Sequence, residues 1–426
     1  MATAAVSAGV DDAPATVASS TSRWLALDLF RFVAVLLMVQ GHVFSALLDS
    51  ELHSELWYRR HSFVHGYTAP MFLFGAGLAF GYTTFRKWDE HTRGGASALK
   101  RFKRYFWLLF IGYALHLPDS SLSRILAVDD PARLRDMFQV DVLQHIGVSL
   151  GLCQLLVLVV RRRKTFAMIA GGLGMAAIIL APWVWNVDLS SWPLPLAGYV
   201  NASTGSMFPL LPWAGFTYLG VAVAYVVGAG RAGSGAKRSV SDRLAWPLLG
   251  LALAAMVLPI VVNRIGSLPV PSEYYGVQDG VTQHLPRAFW KTSPLLTIWR
   301  LGNVMLVLAI LCFVERGLSR WGLARRGAGT VGRGLDWARA ISAESLVVYV
   351  VHLVILHGCV LMSGLRQHFG GPTLSFGATV GITLTMVLAM MLLAILWHEL
   401  KRYPRTFSAV QWSLVSLFAL VLLLPG

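Results

Sequence analysis

The chain has 426 residues, 56% of them hydrophobic and only 13% charged, with 36 Lys and Arg against 21 Asp and Glu. Hydrophobic stretches recur near the roughly 20 residues that cross a bilayer, which excludes a soluble domain and predicts an all-α, polytopic transmembrane bundle. The net charge of +15 could suggest nucleic acid, but 24 of the 36 basic residues fall in five alternate loops and nine in the others. That sorting is the positive-inside rule, with the N-terminus cytoplasmic and the C-terminus external, so the basic excess records topology and attraction to membrane lipid rather than a nucleic-acid partner.

In chain order, residues 1–22 are rich in Ala, Ser, Thr and Val, carry only Asp11 and Asp12 as charges, and read as a disordered tail without the basic start of a cleaved signal peptide. A single membrane domain over 23–426 follows, read as eleven spans: 24–48, 63–85, 102–117, 140–160, 165–186, 208–228, 245–263, 292–314, 342–362, 375–397 and 408–424. The Gly-rich stretches 228–235 and 327–334 read as cytoplasmic linkers. Cys153, Cys312 and Cys359 fall within spans and read as small core residues, because their odd number gives no disulfide framework and their spacing no metal site. Gly77 and Gly81 have the small-xxx-small spacing of close helix packing.

The segment 31–81 holds the candidate chemistry. Arg31 and His42 stand eleven residues apart in the first span. At about 100° per residue that is close to three whole turns, placing both on one face about 16 Å apart. Asp28 joins Arg31 at i, i+3, and His61 and His65 share a helix face at i, i+4 at the start of the second span. Ionisable groups are costly in lipid and mark sites more often than anchors. An imidazole with an unperturbed pKa of about 6.5 suits a general base at neutral pH.

Several motifs carry a resemblance to a known family. Leu27-Asp28-Leu29-Phe30-Arg31-Phe32-Val33-Ala34-Val35-Leu36-Leu37-Met38 is similar to the "LDxxRGxAxxLM" opening of the transmembrane acyltransferases of the heparan-alpha-glucosaminide N-acetyltransferase-like branch, with Phe32 in place of Gly. Arg31 and His42 reproduce the arginine-to-histidine spacing of the related acyltransferase-three proteins. Trp57-Tyr58 with His61 resembles the segment that holds the branch's catalytic histidine, and Pro70-Met71-Phe72-Leu73-Phe74-Gly75 its next helix. Asp141-Val142-Leu143-Gln144-His145-Ile146-Gly147 looks like "VLQRIG" with His145 replacing Arg. Pro209-Leu210-Leu211-Pro212-Trp213-Ala214-Gly215-Phe216 resembles "PLLPWxGF", and Glu344-Ser345-Leu346 with Tyr349 and His352 a late "SLxxYxxH" helix.

The resemblance implies transfer of an acetyl or other short acyl group from cytoplasmic acyl-coenzyme A to a sugar or glycan at the external face, without a metal. The expected localisation is a bacterial inner membrane, with a homodimer as the expected assembly. Acyl transfer needs a base for the acceptor and donors for the oxyanion. His61 is the expected base; His42 would orient it, share its proton or donate to the carbonyl, Arg31 and Asp28 would support the first helix electrostatically, and His65 ranks third. Arg101, Lys103, Arg104 and Arg162 are the candidates for the donor's phosphates, although topology alone explains basic residues there. Asp141, Gln144 and His145 would line an acceptor pocket or bond between helices, Trp213 would stack on a sugar or anchor at the interface, and His352 would reach the tunnel or serve as a structural bond. The alternative is a transporter or flippase of a glycolipid or small solute, whose mark would be inverted repeats or paired broken helices.

Overall fold

The computed structural model describes residues 24–229, 239–265, 292–323 and 329–423. The expected tail 1–22 lies outside them, as do residues 230–235 of the first Gly-rich stretch. Eighteen α-helices follow in order among the described residues: α1 (Leu25–Leu47), α2 (Leu56–His65), α3 (Thr68–Arg86), α4 (Trp88–Thr92), α5 (Ala96–Ala114), α6 (Leu122–Leu126), α7 (Pro131–Met137), α8 (Val142–Val159) and α9 (Arg163–Val184), then α10 (Leu194–Val200), α11 (Leu210–Ala229), α12 (Val240–Ile265), α13 (Pro294–Arg320), α14 (Gly329–Ala343), α15 (Ser345–His357), α16 (Leu365–His368), α17 (Phe376–Leu400) and α18 (Pro404–Leu423). The β-structure described is a hairpin of two-residue strands, Gly358–Cys359 and Met362–Ser363, and one isolated bridge.

Eight of the described helices are long and apolar enough to cross a membrane, and α14 with α15 makes a ninth if the bent pair is one span. The expected spans at 102–117 and 208–228 correspond to α5, whose first turns carry Lys100, Arg101, Lys103 and Arg104, and to α11, whose apolar stretch Leu210–Val226 is shorter than a full span. The ninth expected span, 342–362, needs correction: its helix breaks before Ser345, with a 70° bend between α14 and α15. Glu344 at the break is 3% exposed and is held by Lys401 Nζ at 2.5 Å and His398 Nδ1 at 3.1 Å, both near the end of α17. A carboxylate buried with two such partners is stable there only if the chain turns to meet them. Two smaller expectations also change. Residues 329–334 begin α14 rather than a linker, and Cys359 lies in the hairpin after α15 rather than in a span.

Two apolar cores flank α1. Phe30 and Ala34 belong to the larger, with Leu73, Phe74 and Leu78 of α3, Phe216 of α11 and Val304 of α13. Val35, Met38, Val39, Val43 and Leu47 belong to the second, with Val348 and Leu356 of α15 and Met386 and Met390 of α17. Helices in lipid associate by close packing, which small residues permit. As expected, Gly77 and Gly81 serve packing: a Cβ on Gly77 would lie 1.8 Å from the Thr217 carbonyl oxygen, and one on Gly81 would lie 2.6 Å from Cβ of Ala224. The start of α1 is capped from another helix, because the Ala26 amide donates to Glu315 Oε2 of α13 at 2.8 Å. That carboxylate satisfies one of the donors that a helix N-terminus leaves over and suits its positive end.

α1 and α15 run side by side in the same direction. Arg31 Nη2 donates to Ser345 Oγ at 3.0 Å near their first turns, and His42 meets His352 near their last. At the same end of the bundle the amide of Asp49 donates to the Leu374 carbonyl at 2.9 Å, which ties the exit of α1 to the entry of α17.

Candidate active site

Four histidines from three helices converge where α1, α2 and α15 meet. The His42 ring on α1 lies 5.1 Å from that of His352 on α15, parallel within 6°, and 5.3 Å from that of His65 on α2, edge-on at 77°. His61 stands 6.5 Å from His65, within 8° of parallel. The i, i+4 spacing of the last two places them on one face of α2, and the helix direction aims that face at α1.

Each ring is held by a specific contact. His42 Nδ1 and His352 Nε2 are 2.8 Å apart, and His352 Nδ1 donates to the Val348 carbonyl at 2.7 Å. His65 Nδ1 donates to the Leu37 carbonyl at 3.2 Å, while Thr68 Oγ1 donates to the His65 carbonyl at 2.7 Å just after α2 ends. Since a carbonyl accepts only, this bond makes His65 the Nδ1–H tautomer and leaves its Nε2 lone pair. His61 Nε2 contacts the Gln40 side-chain amide, and its ring lies 4.8 Å from Phe44 and 5.7 Å from Tyr58. His42, His61 and His65 are half-buried, whereas His352 is fully buried.

Gln40 and Gly41 are site residues that the sequence analysis passed over. They directly precede His42 in α1, and a glycine inside an otherwise bulky apolar helix was the available signal. The other expected site residues are placed as follows. Asp28 is 4% exposed on the first turn of α1, and Arg31 bonds Ser345. Asp141 caps α8, accepting from the Val142 amide at 2.7 Å, and also accepts from the Tyr349 hydroxyl at 2.7 Å. Gln144 completes that capping box. His145 is fully buried, with Nδ1 donating to the Phe208 carbonyl at 3.0 Å and Nε2 beside Ser149 Oγ at 3.1 Å. Of these bonds the one from Tyr349 of α15 to Asp141 joins two helices, and the others hold the start of α8 to itself and to the Phe208 carbonyl. Trp213 is 3% exposed between Phe208, at 5.0 Å, and Phe216, at 6.1 Å.

Of the residues expected at the donor's phosphates, Arg101 is already engaged. Its Nη1 donates to Thr84 Oγ1 at 2.9 Å and Gln154 Oε1 at 2.8 Å, Nη2 donates to Thr83 Oγ1 at 3.1 Å, and the guanidinium lies 4.8 Å from the Phe80 ring. It staples α5 to α3 and α8. Lys103, Arg104 and Arg162 are exposed. At the opposite end of the bundle a cavity of ≈ 390 Å³ is lined by His357, Arg366, Gln367, Gly370 and Gly371, five residues of α15 and α16 and the turn after them. His357 follows His352 by five positions on α15, so the cavity lies about 7.5 Å further along that helix.

A model of the family described as heparan-alpha-glucosaminide N-acetyltransferase, catalytic, matches residues 23–262, more than half of the chain. The chain belongs to that family. No curated protein sequence matches it. Membership makes this heparan-alpha-glucosaminide N-acetyltransferase family member an integral membrane acetyltransferase, with α1, α2 and three of the four histidines inside the matched region. His352 and the cavity beyond it lie outside.

Proposed function

We propose that the protein moves an acetyl or other short acyl group from acyl-coenzyme A on the cytoplasmic side to a sugar or glycan acceptor on the external side. The observation that carries this reading is the meeting of His42, His61, His65 and His352 in one cluster near the last turns of α1, α2 and α15, three of the four within the region that the family model matches. With the N-terminus cytoplasmic, the end where α1 leaves the bundle is external, and exposed Lys103, Arg104 and Arg162 are cytoplasmic, where a phosphorylated donor arrives.

In the proposed reaction the acceptor nitrogen or oxygen attacks the thioester carbonyl carbon while an imidazole of the cluster takes its proton. The tetrahedral intermediate then expels the thiolate, which recovers the proton as free coenzyme A. His61 is the expected base from the sequence, and His42 and His65 share the site; Arg31 steadies α1 against α15 through Ser345. The acceptor enters past His357 and Arg366. The localisation in a bacterial inner membrane and a homodimeric assembly belong to this proposal as well.

The test is substitution in the purified, full-length protein supplied with acetyl-coenzyme A and amino sugars or glycans. His61→Ala and His42→Ala should each lower transfer by about 10²-fold or more with unchanged membrane expression. Near wild-type rates in both would remove the cluster from the chemistry.

A further inference from the structure

His352 is fully buried, and both of its ring nitrogens are engaged. Nδ1 stands 2.7 Å from the Val348 carbonyl oxygen one turn back on α15. A carbonyl cannot donate, so Nδ1 carries a proton. A proton on Nε2 as well would make a buried cation, and no carboxylate bonds either ring of the pair among the described residues. Burying an uncompensated charge is costly, so His352 is neutral and its Nε2 is a lone pair. That lone pair faces Nδ1 of His42 at 2.8 Å, and two lone pairs cannot share such a contact. His42 therefore donates from Nδ1, and its Nε2 is the basic nitrogen.

We infer that His352 is the positioning residue for His42: the neutral His352 imidazole, anchored on the Val348 carbonyl, fixes His42 in the tautomer whose Nε2 accepts the acceptor's proton. This assignment rests on the acyl-transfer reading and gives the base's part to His42, with His61 and His65 beside it. It also gives His352 a different task from contact with substrate, since neither of its nitrogens is free for one.

The step balances without another reactant. The acceptor's N–H or O–H gives its proton to His42 Nε2 as the acceptor atom bonds the acyl carbon. The C–S bond then breaks, its electron pair stays on sulfur, and Nε2 returns the proton to that thiolate. Throughout, His42 Nδ1–H donates to His352, and this bond strengthens while His42 is an imidazolium. A carboxylate would do the same work in a hydrated site, whereas a neutral imidazole does it here without placing a permanent charge in the apolar core between α1 and α15.

Two substitutions separate positioning from packing. His352→Phe keeps a ring but removes the acceptor, and His352→Gln keeps an acceptor oxygen near the place of Nε2. His352→Phe should lower kcat for acetyl transfer by about 10²-fold with the KM for acetyl-coenzyme A unchanged, and His352→Gln should recover about tenfold of that loss. In the full-length protein with isotopically labelled histidine, nitrogen NMR should find His42 protonated at Nδ1 in the wild type and in His352→Gln, and shifted toward the Nε2–H tautomer in His352→Phe. An Nε2–H tautomer at His42 in the wild type overturns the inference, as does a His352→Phe enzyme with wild-type kcat. The tautomer is read without turnover, so a protein that shows it but transfers no acyl group would sink the proposed function and leave the dyad standing.

Discussion

A Cβ on Gly41 would lie 1.8 Å from Nδ1 of His65, so the missing side chain on α1 is what lets the imidazole of α2 reach the Leu37 carbonyl. Leu37 is four residues before Gly41, and the His65 ring therefore lies over the very turn whose surface the glycine leaves bare. Gly41→Ala should favour the helix by about 0.5–1 kcal/mol in isolation, yet expel the His65 ring. The expected outcome is at least an about tenfold loss of transfer, as for loss of a proton-handling group, in a protein that still expresses and unfolds cooperatively. Wild-type activity in Gly41→Ala would show that the position of His65 is irrelevant.

The hydrogen bond from Tyr349 to Asp141 joins the start of α8 to the helix that carries His352. Tyr349 is 7% exposed and Asp141 half-buried. Tyr349→Phe should lower stability by about 1.5–3 kcal/mol, the usual worth of a bond to a charged acceptor, measured by thermal unfolding in detergent. An unchanged unfolding temperature would mean that α15 is held by packing alone.

The bundle's orientation is tested by labelling. In a background lacking Cys153, Cys312 and Cys359, a cysteine in the exposed turn Ser50–Ser54 should react with an impermeant reagent on intact cells, whereas one between Lys87 and Ala96 should not. Equal labelling at the two places would reverse or remove the proposed sidedness.

Much of this architecture was legible in the sequence because lipid imposes a simple rule, that backbone groups be satisfied within helices of sufficient length. α1, α8 and α17 fall within a few residues of the spans read from hydropathy. The break before Ser345 was not legible. It depends on Glu344 meeting Lys401 and His398 more than fifty residues later, a tertiary pairing without a local signal. Likewise, Arg31, His42, His61 and His65 stood out as ionisable groups at helical spacing, but the partner of His42 is His352, 310 positions away. The reading of Asp141, Gln144 and His145 left two roles open because spacing cannot tell a cap from a pocket; the capping box and the bond to Phe208 show which bonds they make. Arg101 looked like the basic residues around it, and only its position against Thr83, Thr84 and Gln154 separates it from them.

The central claim is that an acyl group crosses the membrane plane through this bundle while its carrier stays behind. Sealed vesicles of known orientation, with labelled acetyl-coenzyme A on the side of Lys103, Arg104 and Arg162 and an amino sugar or glycan confined to the other, test it most directly. The account predicts label on the confined acceptor, free coenzyme A released in equal amount on the donor side, and loss of both in His42→Ala. Passage of unmodified acceptor at the same rate without any donor, with no acyl-coenzyme A consumed, would contradict it and make the protein a transporter.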